Sequence, residues 1–200
     1  MLGMAGIMST LSLSAEVKNL GIEGTITSVT DTSFVLDGSI TNGTPFQGYY
    51  FFDLGAADSN SDATVGDYQF TNAAAGIVVK AGNYVFRTNP QHVDFLIELV
   101  NRPSDDHYVL HSYNNVCSQP VLVDHIAWQL DDSNGTAVTN DFLPLSPPTL
   151  ADSQSISGLT VSGGFSSVAR SIRSARRQPS FPRGPPSPCV IPWKSPSRPH

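Results

Sequence analysis

The chain has 200 residues, enough for one domain with a substantial core, and only two cysteines, Cys117 and Cys189, which excludes a disulfide framework. Charged residues make up 14% of it, below the roughly 25% of ordinary soluble chains, so solubility rests on Ser, Thr, Asn and Gly. Residues 1–165 hold four bases against seventeen acids, while residues 166–200 hold seven bases and no acid, so the body is too acidic for a nucleic-acid binder.

Residues 1–15 carry no charge and contain an apolar run at 2–8, then the small residues of Ser12-Leu13-Ser14-Ala15. This pattern predicts a signal-peptide remnant over 1–18, without a basic start. The run is too short to span a bilayer core of about 30 Å. From Gly21 the period is two. Ile22, Gly24 and Ile26 alternate with Glu23, Thr25 and Thr27, as in a strand with one buried face. A second strand is expected over 33–40. Asn42-Gly43 and Pro45 mark the turn before an aromatic strand at 46–53. Its Tyr49, Tyr50, Phe51 and Phe52 must divide between the two faces, two toward the core and two outward.

A loop follows at 58–62. Short strands are expected at 67–70, 76–80 and 84–88, the last two joined as a hairpin across Ala81-Gly82-Asn83. Residues 93–100 alternate again, and strands at 108–113 and 121–130 follow, with Trp128 in the core. The last expected strand is 155–161. No stretch sustains a helical period. The fold class predicted for 19–165 is all-β: an antiparallel β-sandwich, jelly-roll-like, of about nine or ten strands, with a closed barrel as the alternative.

Eight of the fifteen prolines fall in 166–200, where no apolar face recurs. The segment is expected to be a disordered basic tail. The loss of every acid at one point also fits a segment read out of frame from near Phe165. A flexible linker and a polybasic anchor are the other readings.

Candidate chemistry is sparse. Asp58, Asn60 and Asp62 place oxygens at positions 1, 3 and 5 of a calcium-type loop, but Ala63 and Gln69 replace its glycine and its bidentate glutamate. Calcium is therefore the only cofactor considered, at a weak site, and a polar loop tip with Asx turns accounts for the same residues. Asp131-Asp132-Ser133-Asn134-Gly135 reads as a turn cap. His107 and His111 share a strand face and, with Cys117 or His125, contain metal-ligand types at undemanding spacing. Asp124-His125 suggests a triad pair, but no G-x-S-x-G elbow accompanies it. No catalytic residue is assigned.

The stretches GTITSVTDTSFVLDGSITNGTPFQGYYFFD, TVGDYQF, AGNYVF and WQLDDSNGTAVTNDFLPLSPPTLADSQ, within 22–163, resemble bacterial exported β-rich proteins of the PEP-CTERM sorting type. The Pro-Glu-Pro, hydrophobic run and basic cluster of that signal have no counterpart in 166–200. The resemblance implies a secreted or cell-surface protein of a bacterium. Its expected role is non-enzymatic, structural or adhesive, with extracellular polysaccharide or other surface proteins as partners. A carbohydrate-binding module with a weak calcium site is the alternative.

Overall fold

The computed structural model describes residues 16–146, 155–163 and 166–173. Its strands are β1 (Val17–Thr30), β2 (Pro45–Asp53), β3 (Val65–Phe70), β4 (Gly76–Ala81), β5 (Tyr84–Thr88), β6 (Phe95–Asn101), β7 (Asp106–Ser112), β8 (Asn115–Cys117), β9 (Val123–Asp132), β10 (Ser155–Gly163) and β11 (Ser166–Arg173). Every pairing is antiparallel, in the order β3-β6-β7-β9-β10-β11-β1-β2-β4-β5-β8. The ladder doubles over on itself. Tyr50 on β2 lies 5.9 Å from Trp128 on β9 and 6.2 Å from Tyr108 on β7, ring centre to ring centre, and Phe52 lies 6.4 Å from Phe70 on β3. Two five-strand layers therefore face each other, β3-β6-β7-β9-β10 against β11-β1-β2-β4-β5, with the three-residue β8 extending the second. This is the expected antiparallel sandwich.

Alternation explains the layers. In β2, Phe46, Gly48, Tyr50 and Phe52 are buried, while Gln47, Tyr49, Phe51 and Asp53 face outward. In β6 and β9 the same period buries Phe95, Ile97 and Leu99, then Ile126, Trp128 and Leu130. The segment after β9 covers edge strand β3. Tyr68 donates its hydroxyl to the Asp141 carbonyl at 3.0 Å, and a Cβ on Gly66 would stand 2.2 Å from that oxygen. Only glycine admits so close a strap on this face, while the free edge of β3 is capped by the 58–62 loop, the Asp67 amide donating to Asp58 and the Ser59 amide to the Asp67 carbonyl, both at 2.9 Å.

Three expectations change. Residues 33–40 form a loop, not a strand. The Asp31 carboxylate accepts from the Val35 and Leu36 amides at 3.0 and 2.9 Å, and Asp37 accepts from Ser39 at 2.9 Å, so side chains take the donors a ladder would need. β1 starts at Val17, and Val17 and Lys18 pair with Asp53 and Phe52, so the domain begins inside the segment assigned to a signal remnant. Finally, β11 occupies 166–173, the first part of the expected tail, and bridges β10 to β1. The rest of that tail and residues 1–15 lie outside the described residues.

Candidate functional site

Period two places three cross-strand rows on the outer face of β1-β2-β4-β5. Glu23, Gln47, Lys80 and Val85 form one row; Gly21, Tyr49, Val78 and Arg87 the next; Asn19, Phe51 and Gly76 the third. The Tyr49 and Phe51 rings lie 6.1 Å apart, tilted by 37°, and both are half-buried. Each is flanked by a glycine across the ladder, Gly21 or Gly76. The Phe51 ring edge comes within 3.4 Å of where a Gly76 Cβ would stand. The aromatic pair thus rests on backbone where side chains would otherwise crowd it.

Beside this pair the polar row opens into a groove of about 670 Å³, lined by Glu23, Thr25, Thr44, Gln47, Lys80 and Gly82 among others. Gly82 has φ +52°, in the left-handed region. Its bare α-carbon lets the 31–39 loop pack close, with Ser39 Oγ 2.5 Å from where a Cβ would be. Tyr84 accepts from the Asp37 amide at 2.6 Å, and Asn83 donates to the Asp37 carboxylate at 2.8 Å. The Asn83 bond, first among several, draws the Asp37 pKa down to about 2. One rim of the groove is therefore a pinned loop, and that loop carries Phe34, 89% exposed. An apolar platform beside an open, mainly apolar groove edged by Glu23, Gln47 and Lys80 suits a ligand that offers an apolar face and polar groups at its rim.

The calcium-type loop is arranged as a chain of Asx turns. Asp58 accepts from the Asn60 and Asp67 amides at 2.8 and 2.9 Å, Asn60 accepts from Asp62 at 2.9 Å, and Asp62 accepts from the Thr64 amide and hydroxyl. Those Thr64 bonds lower the Asp62 pKa. Gln69 turns away to Asp94 at 3.0 Å. Among the described residues no group of three or more His, Cys, Asp or Glu side chains is placed to hold a metal ion.

The histidines separate into two sets. His107 sits between Asp131 at 2.6 Å and Asp105 at 2.8 Å, and the Asp131 bond leads the effects that raise its pKa. His111 and His125 bond to each other, Nδ1 to Nε2, at 2.9 Å. Burial lowers the pKa of both, and for His125 the neighbouring His111 adds to it. Cys117 lies on β8, with burial raising its thiol pKa, and packs against the core. Strand periodicity put His107 and His111 on one face; the structure shows that His111, opposite Ala127 in the ladder, reaches its diagonal neighbour His125 instead of His107. Likewise Glu23, Gln47 and Lys80 come from three strands, and no local motif joins them.

Compared with protein-family models, with curated proteins and with solved structures, the chain matches none.

Proposed function

We propose that this protein is an exported, non-catalytic β-sandwich that adheres to polysaccharide at the bacterial surface or in the surrounding matrix. The observation that carries the reading is the outward Tyr49–Phe51 pair beside the Glu23–Gln47–Lys80 row. A pyranose ring offers apolar C–H faces to aromatic rings and equatorial hydroxyls to amide, ammonium and carboxylate partners. Glu23 is the single acid among the described lining residues, whereas glycosidases commonly use two carboxylates across the scissile bond. The low charge content and the likeness to exported β-rich proteins support placement outside the cell.

Affinity electrophoresis of the protein through gels holding neutral and acidic polysaccharides tests this. Retardation by at least one polymer is expected. Tyr49→Ala should weaken it roughly five- to thirty-fold, the cost of an aromatic anchor worth about 1–2 kcal/mol. Equal mobility in every gel, for wild type and variant alike, removes the reading.

A further inference from the structure

The second outer face, on β6-β7-β9, carries a feature unrelated to the groove. His111 Nδ1 and His125 Nε2 stand 2.9 Å apart, with ring planes 17° from parallel and centroids 5.1 Å apart. These values decide between a chelate and a hydrogen bond. Two ring radii plus a 2.9 Å contact give about 5.2 Å when the rings meet edge to edge in one plane, the geometry of a straight N–H···N bond. A metal ion needs about 2.0–2.1 Å to each nitrogen, so it does not fit on the line between them. One proton does. The pair must hold one imidazole as donor and the other as acceptor, which requires that at least one ring be neutral.

Tyr113 lies parallel to both rings, 5.1 Å from His125 and 5.7 Å from His111, with planes 16° apart. It is 45% exposed. Directly beneath runs a buried chain of hydrogen bonds that joins the two layers. The Ile77 amide donates to Thr88 Oγ1, Thr88 Oγ1 and Ser112 Oγ are 2.7 Å apart, and Ser112 Oγ donates to Asn115 Oδ1 at 2.7 Å. The amide oxygen accepts only, so the Ser112 proton is committed to it and Thr88 must donate to Ser112. Asn115 completes the chain by donating to the Ser112 carbonyl at 2.8 Å and the Asp124 carbonyl at 3.4 Å. Ser112 adjoins His111, and Asp124 adjoins His125. The histidine bond and the Asn115 bridge thus span the same gap between β7 and β9.

The geometry points to an acid-labile clasp: His111 and His125 share one bridging proton to hold β7 against β9, and protonation of both rings to imidazolium breaks the bond and loosens the β7–β8–β9 end. With both rings protonated neither nitrogen can accept, and two like charges face each other across 2.9 Å. The other ionisable groups on this face are Asp94 just before β6, Glu98 on it and Arg102 after it, His107 on β7 and Tyr113 just after it, and Asp124 and Asp131 on β9; the sequence of β10 contains none. Asp131 and Asp105 are engaged by His107, so they do not neutralise the pair. Burial and the mutual contact act in the same direction, against protonation of both rings.

The test is native-state hydrogen exchange at pH 7 and pH 5 on the whole chain, with His125→Gln as the variant, since an amide hydrogen-bonds His111 without titrating. In wild type the protection factors of the Ser112, Tyr113 and Ile126 amides should fall at least tenfold more on acidification than in His125→Gln. Equal changes in both, or none in wild type, overturn the clasp. Nitrogen-detected histidine titration of wild type gives a second reading that needs no variant. The two rings should titrate as a coupled pair below the ordinary histidine range; two independent titrations near 6.5 also overturn it.

Discussion

Phe34 combines two unfavourable traits. Its φ of +53° lies in the left-handed region, and its side chain is 89% exposed. A non-glycine residue there costs about 1 kcal/mol, and an exposed ring recovers little of it by packing. Phe34→Gly should therefore raise stability by up to about 1 kcal/mol, or about 2–4 °C in the melting temperature, read by calorimetry. A lower melting temperature would mean the ring has packing not evident from its exposure. The core contains the opposite case. Tyr108 is fully buried, and its hydroxyl faces that of Tyr50 without good hydrogen-bond geometry; among the described residues neither hydroxyl, nor the Trp128 indole N–H, has a well-formed hydrogen bond. Tyr108→Phe removes a desolvated polar group while keeping the ring contacts with Tyr50 and Trp128. Urea unfolding should show it neutral or up to about 1 kcal/mol more stable, whereas Tyr108→Ala should lose about 3–5 kcal/mol as a cavity opens.

Most strands are legible in the sequence, because alternation sets a buried face: Ile22 and Ile26, Phe95 to Leu99, Ile126 to Leu130. The exceptions are physical. Residues 33–40 look apolar and β-branched enough for a strand, but Asp31 and Asp37 supply acceptors that bend the backbone first. β8 is three half-buried residues, too short to show a period. β11 was hidden by composition, since Ser166–Arg173 has few large apolar residues, and its place follows from open backbone groups on both β1 and β10. The candidate faces were the least legible, because Glu23, Gln47 and Lys80 meet only through register, and His111 and His125 only as diagonal neighbours across β7 and β9. A chain ending at residue 165 should unfold at a temperature well below one ending at 173, because it loses pairings to two strands at once. Similar melting of the two truncations would show that β11 adds nothing to the ladder.

For the molecule as a whole, two histidine sets pull stability in opposite directions with pH. His107 has a raised pKa in the fold, chiefly through Asp131, so its contribution is complete below the unfolded value of about 6.5 and is lost as pH rises through the folded value. His111 and His125 have lowered pKa values, so their contribution is complete above about 6.5 and declines as pH falls. Chemical denaturation between pH 5 and 9 should show a broad optimum near neutrality. His107→Gln should flatten only its alkaline side. A loss confined to the acid side would contradict the assignment.

The pairing of β1 with β11 also sets a clock. Glu23 meets Arg173 across the ladder, so the sheet joins a strand near the start of the chain to the last one described. At roughly 5–20 residues per second, a ribosome needs about 7–27 s to go from the end of β1 to the start of β11, and until then β1 has no partner on that side. Contacts so distant in sequence form slowly even afterwards. On this side the sheet therefore closes only after β11 has emerged, well after β1 and β2 are free to pair.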